Sequence, residues 1–206
     1  TLTTAAAQDP GNADVQLALG RVQLQKAERS LDRRAITAAL GALDGALATS
    51  PRRSEGLALL GRAQYLSGDT ASALRTLQDA VTSAPVVVEA FGYLADAAER
   101  ANDPDGARAA LIRLDTLEGD TAPPAVRAAR ARRIGGLSLT LSDNADAVFY
   151  LQRARDGGLN DASLLSQLAD AQWRGGKLDD ARKTLAEALA LDARNADALR
   201  LKRVIK

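Results

Sequence analysis

Small and apolar residues recur along this chain at a spacing that is typical of paired helices. In the stretch 54–87, Leu60 and Gly61 fall on a first predicted helix, and Ala73 and Leu77 fall on a second one. The same pattern returns after about 34 residues, a period at which helical hairpins stack on one another. Because one hairpin cannot bury its apolar face alone, neighbouring copies must supply the core. The pattern therefore predicts an all-α solenoid of antiparallel helix pairs.

Five copies of the pattern can be aligned, and one further helix follows them. We place them at 13–53, 54–87, 88–127, 128–161 and 162–195, with a C-terminal helix at 196–206. Residues 1–12 match the end of a preceding copy, so we expect 1–206 to form a single solenoid domain. Two interpretations of the chain ends remain open. We expect either a domain or mature fragment that lacks its N-terminal context and has Lys206 as its C-terminus, or a domain excised from its surroundings.

Two places along the chain carry more residues than the period requires. The first copy has about seven additional residues within 26–34, which either lengthen its first helix or enlarge the turn. The stretch 118–124 lengthens the connection between the third and fourth copies. Such growth is tolerated because it lies outside the stacked core.

Small residues mark the positions where the two helices of a hairpin are expected to approach closely. They are Gly20, Gly61, Ala95, Gly135 and Ala169 in the first helices and Ala39, Ala73, Ala107, Ala147 and Ala181 in the second helices. Turn sequences separate the helices, and Pro51 and Pro85 close the first two copies.

Two of these turn sequences superficially match ligand-binding loops. The stretch 103–106 begins like a calcium loop, but the later ligands and the closing Glu are missing. The stretch 175–177 ends like a phosphate-binding loop, but Ala171 stands where that motif requires Gly, and Leu178 follows the Lys. We interpret both as turns between helices.

The positions of these residues resemble those of the tetratricopeptide repeat family over nearly the whole chain. The resemblance implies a right-handed superhelical solenoid whose concave groove is lined by first-helix side chains and holds a peptide or a partner helix. Transferred by position, it gives the candidate partner-binding residues Arg21, Arg62, Tyr65, Asp96, Arg100, Arg132, Asp170, Trp173 and Arg174. Lys and Asn of the family's carboxylate clamp are absent from the nearest places, so a cochaperone that grips a peptide terminus is not expected.

Tyr65 and Trp173 stand one residue beyond the family's usual aromatic, whose place is taken by Gln64 and Gln172. Two interpretations remain open for each ring. It is either an anchor for a partner, as aromatic residues beside arginine often are, or a replacement for the missing core aromatic. Arginines at the ninth position of a copy, counted from the start of its first helix, either face the groove or are solvated. Arg62 is one of them.

A basic cluster lies on the first helix of the fourth copy. It consists of Arg127, Arg130, Arg132 and Arg133. A solvated helix face, a site for an acidic protein partner and a phosphate-binding site are all possible interpretations. Glu118 and Asp120 are expected to neutralise part of it, and a net charge of +1 argues against nucleic acid.

Composition excludes several classes of function. The chain has no His and no Cys, so it lacks the residues for a Ser-His-Asp triad, a Cys nucleophile or the usual zinc sites. We therefore expect no enzyme activity and no cofactor, and the absence of a long apolar run predicts no membrane span. Arg far outnumbers Lys, a bias that suggests a bacterial genome of high GC content.

The leading hypothesis is a non-catalytic scaffold for a peptide or protein partner. Two alternatives remain: an accessory region of a larger bacterial enzyme or of an envelope assembly or polysaccharide-export machine, and an architectural subunit of a complex. The sequence does not specify the partner, the oligomeric state or the compartment, for which the bacterial cytoplasm and the periplasm or envelope both remain open.

Overall fold

The structure, a computed structural model, describes residues 1–50 and 53–205. Within these ranges the chain forms twelve α-helices, one short 3-10 helix and no strand. The predicted all-α fold class is therefore confirmed. Two features of the sequence, Pro51 at the end of the first copy and Lys206 at the C-terminus, lie outside the described residues.

The N-terminal part of the chain, unit 1, comprises Thr1–Ala110. Its helices are α1 (Leu2–Gln8), α2 (Ala13–Ser30), α3 (Arg33–Thr49), α4 (Ser54–Ser67), α5 (Thr70–Thr82), α6 (Glu89–Arg100) and the first part of α7 (Pro104–Glu118). Helix α2 packs on α3 and α4 packs on α5, while α4 also contacts both α2 and α6. The first helices of the copies are therefore neighbours in unit 1.

The C-terminal part, unit 2, begins at Leu111. After the end of α7 it contains the 3-10 helix Gly119–Thr121 and the helices α8 (Pro124–Thr140), α9 (Asn144–Asp156), α10 (Ala162–Arg174), α11 (Leu178–Leu191) and α12 (Ala196–Val204). Helix α8 packs on α9, α10 packs on α11, and α12 covers both α10 and α11. Leu201 and Ile205 are buried in the core that α12 helps to close.

The additional residues of the first copy lengthen its first helix. Asn12 caps the start of α2, and the helix continues to Ser30. It ends where Leu31 adopts a left-handed conformation with φ of 50°, and Asp32 then caps α3. Of the two explanations that the sequence left open, the longer helix is correct.

The connection between the third and fourth copies is also longer, as predicted. Helix α7 runs to Glu118, and the 3-10 helix and Pro123 lead directly into α8. Pro124 stands at the first turn of α8, where a missing backbone N–H costs nothing. Helix α8 therefore begins before the predicted copy boundary at 128.

The glycines of the first helices allow close approach of the second helices, as the sequence predicted. A Cβ atom at Gly61 would lie 2.5 Å from Leu77 Cγ, and one at Gly20 would lie 2.6 Å from Leu43 Cγ. The corresponding distance from Gly135 to Leu151 Cγ is 2.6 Å. The five alanines predicted at the second-helix crossings are all fully buried.

The predicted turns are confirmed. Gly68 has a φ of 93° and is followed by Asp69, whose carboxylate accepts a hydrogen bond from the Ser72 N–H at 3.0 Å. That backbone hydrogen bond, together with one from the Ser72 side chain, lowers the pKa of Asp69 below its ordinary value of 3.8. Asp103 likewise accepts from the Gly106 N–H at 2.9 Å, so the stretch that superficially matches a calcium loop is a helix start.

None of the helices in the described ranges has both the length and the apolar composition that a bilayer crossing requires.

Candidate functional site

The first helices of unit 1 carry five of the predicted partner-binding residues on one continuous surface. We call the faces of α2, α4 and α6 that carry these residues the first-helix surface of unit 1; the predicted residues on it are Arg21, Arg62, Tyr65, Asp96 and Arg100. Ion pairs and ring contacts join the last four of these residues, whereas Arg21 pairs with Glu55.

Arg62 is the centre of this surface. Its Nε donates to Glu28 Oε1 on α2 at 3.0 Å, and its Nη1 donates to Asp96 Oδ2 on α6 at 3.0 Å. The guanidinium carbon also lies 5.0 Å from the centre of the Tyr93 ring. With only 19% of its side chain exposed, Arg62 is not a solvated residue, and the interpretation that it is one is wrong. It links three first helices.

Arg21 behaves differently from Arg62. Its side chain is 52% exposed and forms an ion pair with Glu55 at the start of α4. Exposed pairs of this kind contribute little to stability. Arg21 is therefore a largely solvated charge that pairs with a neighbouring first helix, in agreement with the solvated interpretation.

Tyr65 is half-buried between two arginines. The guanidinium carbon of Arg100 lies 3.4 Å from the centre of the Tyr65 ring, and that of Arg62 lies 5.1 Å from it. Arg100 also donates a hydrogen bond to the Tyr65 backbone oxygen. Because these cations already cover much of the ring, Tyr65 offers only part of its surface to a partner.

A pocket of about 350 Å³ opens on the first-helix surface beside this network. Its apolar lining consists of Leu24, Ala58, Leu59 and Val87, and its polar lining consists of Arg21, Gln25, Glu28, Glu55, Glu89 and Tyr93. Leu24 and Ala58 are buried and form its floor. The pocket thus combines an apolar base with a charged rim.

Burial and the charges around this pocket shift the pKa of Tyr93. Burial raises the pKa of its phenol above the ordinary value of 10.0, and the carboxylates of Glu28, Glu89 and Asp96 raise it further, while Arg62 opposes them. Three carboxylates therefore act on the phenol against one guanidinium. The sequence-based reasoning did not select Tyr93, although it stands four residues after Glu89 and hence on the same helix face.

In unit 2 the predicted residues do not form one network. Arg174 makes two hydrogen bonds of 2.8 Å to the buried carboxylate of Asp170, one helical turn earlier. Arg132 instead pairs with Asp161 at 2.7 Å. Trp173 is 36% exposed on α10, so it is available at the surface of its unit.

The basic cluster on α8 is neutralised by nearby acids. Arg127 pairs with Asp120, and Arg130 pairs with Glu118, as the sequence predicted. Arg130 also contacts Asp115, a residue that the sequence-based reasoning missed. Because Arg130 is only 6% exposed, its interpretation as part of a solvated face is wrong.

A second surface feature of unit 2 lies on a second helix. Phe149 on α9 is 60% exposed and packs edge-on against Tyr150, with ring centres 5.0 Å apart. It lines a pocket of about 460 Å³ together with Val148 and Lys177. The sequence-based reasoning considered only first-helix positions and therefore did not select Phe149.

The glutamines that replace the family's usual aromatic are partly or fully buried. Gln172 is buried, and Gln64 is half-buried. Their Oε1 atoms lack a hydrogen-bond partner among the described residues.

Several solved structures share this fold. The chain is similar to YrrB, a TPR protein with an unusual peptide-binding site, at 14% identity and a TM-score of 0.80, with 98% of each chain covered. It is also similar to MamA from Desulfovibrio magneticus RS-1, at 16% identity and a TM-score of 0.65 over 88% of this chain and 97% of that one. PilF of Pseudomonas aeruginosa matches at 19% identity and a TM-score of 0.65, with 98% and 86% covered.

At these identities the similarity concerns the fold. A comparison with curated proteins finds no match. The sequence model of the tetratricopeptide repeat, however, matches residues 24–85, 59–120 and 166–202, which together span more than half of the chain. This protein belongs to the tetratricopeptide repeat family.

Proposed function

We propose that this protein is a non-catalytic scaffold that binds a peptide segment or a partner protein on the first-helix surface of unit 1. The observation that carries the proposal is the pocket on this surface, which has an apolar floor, a charged rim and rings held by arginine. Pockets of roughly 300–1,000 Å³ with apolar walls and a few placed polar groups are typical ligand sites.

Two further observations support binding and not catalysis. YrrB, with a similar fold, is a TPR protein with a peptide-binding site. The chain contains neither His nor Cys, the residues that most often serve as general base or nucleophile. Trp173 and its neighbours on α10 remain predicted contacts for the same or another partner.

The absence of Cys from the sequence allows a direct test of the surface used. Peptides that bind the immobilised protein are selected from a random phage library. Each selected peptide is then synthesised, and its affinity is measured by fluorescence anisotropy. The measurement is repeated on two single-cysteine variants, Gln25→Cys and Asp44→Cys, each coupled to a bulky maleimide. Gln25 lines the pocket, whereas Asp44 is an exposed residue on α3 outside it.

We expect the label at position 25 to weaken binding by tenfold or more, about 1.4 kcal/mol, and the label at position 44 to leave it unchanged. Equal effects of the two labels, no effect of either, or a failure to select any peptide would each refute the proposal.

A further inference from the structure

The pocket on the first-helix surface of unit 1 is suited to one long side chain of a bound peptide. Its volume of about 350 Å³ lies at the lower end of the range for ligand sites. Leu24, Leu59 and Val87 provide an apolar wall against which a hydrocarbon stem can pack. A side chain that fills the pocket therefore needs several methylene groups.

The charges at the rim define what the end of that side chain must be. Three carboxylates line the pocket, those of Glu28, Glu55 and Glu89, against the single guanidinium of Arg21. Glu55 is paired with Arg21, and Glu28 is paired with Arg62. Both of these pairs are internal to the protein and are complete without a ligand.

Glu89 is the exception. Among the described residues, its carboxylate has neither a hydrogen bond nor an ion pair. It stands in the first turn of α6 and is exposed. The pocket therefore has one exposed carboxylate that no described residue pairs.

Other ligand classes fit less well. An anionic group would face three carboxylates, and the only lining cation is already paired. A purely apolar side chain would shield Glu89 from water without pairing it, which is unfavourable. A cation on a hydrocarbon stem satisfies both the apolar wall and the carboxylate, as lysine and arginine do elsewhere.

We infer that this pocket binds the side chain of a lysine or arginine in an extended peptide, with the stem on Leu24, Leu59 and Val87 and the cation beside Glu89. The inference rests on the proposed function, since it specifies which peptide the first-helix surface of unit 1 selects.

The test uses the peptides selected on the native protein. We expect lysine or arginine at one fixed position of these peptides. Replacing that residue with norleucine, which keeps the stem and removes the charge, should weaken binding about tenfold, as expected for a hydrogen-bonded ion pair. Glu89→Gln should weaken binding of the parent peptide by a similar factor and leave the affinity of the norleucine peptide unchanged.

A matched control separates the pocket from general effects of charge. Asp180 also stands in the first turn of a helix, α11, and does not line the pocket. Asp180→Asn should leave both affinities unchanged. In addition, Glu89→Lys should now favour a peptide with glutamate in place of the lysine, whereas Asp180→Lys should not.

The outcomes distinguish this inference from the proposed function. If the label at position 25 blocks binding but the norleucine peptide binds as tightly as its parent, the surface is a binding site and the lysine or arginine assignment is wrong. The assignment is also wrong if Glu89→Gln has no effect on the parent peptide. If the label at position 25 has no effect on any peptide, both proposals fail.

Discussion

The two units use their arginines in different ways. In unit 1, Arg62 joins neighbouring first helices by pairing with Glu28 and Asp96, and its network lies on an accessible surface. In unit 2, Arg130 and Arg153 converge on the nearly buried carboxylate of Asp115, and the cluster ties α8 and α9 to the end of α7. The same residue type therefore shapes a surface in one unit and holds helices together in the other.

The two units also differ in their exposed pockets. The pocket of unit 1 lies between first helices and is rimmed with carboxylates, and its acid Glu89 has no partner among the described residues. One pocket of unit 2 lies along the second helix α9, where the exposed ring of Phe149 lines it together with charged side chains of both signs. Membership of one repeat family thus does not fix which helix presents a binding feature.

The largest expected effect compares the close helix crossings of the two units. The three atoms nearest to a Cβ at Gly135 include the backbone nitrogen of Leu151 at 3.1 Å, whereas the three nearest to one at Gly61 all belong to the Leu77 side chain. A side chain can move aside more easily than a backbone. We expect Gly135→Ala to lower the free energy of unfolding by about 3 kcal/mol and Gly61→Ala by about 1–2 kcal/mol, as measured by urea denaturation.

Gly41 provides the control for these two variants. It lies within α3, and an added Cβ there would meet nothing within 4 Å. Gly41→Ala should raise the free energy of unfolding by about 0.5–1 kcal/mol, because alanine is the better helix former. Equal losses for Gly61→Ala and Gly135→Ala would show that backbone proximity does not distinguish the crossings.

The next effect concerns the ion-pair cluster of unit 2. Asp115→Asn removes the charge that Arg130 and Arg153 share, and Arg130 is too buried to recover its energy from water. Removing one partner of a fully buried pair costs about 3–5 kcal/mol. Since Arg130 keeps Glu118 and Arg153 is partly exposed, we expect a loss of about 2 kcal/mol in the free energy of unfolding.

Asp179→Asn is the matched control, because Asp179 pairs with Arg182 at 3.5 Å on an exposed face of α11. We expect this variant to lower the free energy of unfolding by less than about 0.5 kcal/mol. If the two variants were equally stable, the Asp115 cluster would be an ordinary surface pair, and the difference between the units would disappear.

The hairpins were predictable because their determinants lie within one repeat period. Gly61 and Leu77, for example, belong to the same copy, and their close approach follows from the small residue and the helix spacing alone. The length of α2 was not predictable, because residues 26–34 are compatible with either a helix or a turn. Only the structure places Ser30 at the end of that helix.

The candidate site was predictable only in part, because one of its residues lies in the additional stretch 26–34. Positional transfer from the family selected Arg62, Tyr65 and Asp96, and the structure brings these side chains into contact. It did not select Glu28, which lies on the additional turn of α2 and pairs with Arg62 across helices. Nor does a hydrophobic pattern specify which charged side chains meet, since long side chains on neighbouring helices have many possible partners.

The smallest expected effect is a change in the titration of Tyr93. Burial and the carboxylates around the pocket raise the pKa of its phenol above 10.0. The unfolded phenol therefore loses its proton first, so this contribution to stability is fully present below pH 10 and is lost as the pH rises through the folded pKa. The ultraviolet absorbance of tyrosinate, native minus Tyr93→Phe, isolates this titration.

Glu89→Gln should lower the pKa of Tyr93 in that experiment, because it removes one of the negative charges that disfavour the tyrosinate. Asp180→Asn, which removes an acid that does not line the pocket, should leave the titration unchanged. If Glu89→Gln also leaves it unchanged, the carboxylate of Glu89 does not act on the pocket. The difference between the carboxylate-rimmed pocket of unit 1 and the pocket around Phe149 in unit 2 would then rest on Glu28 and Glu55, whose charges are already paired.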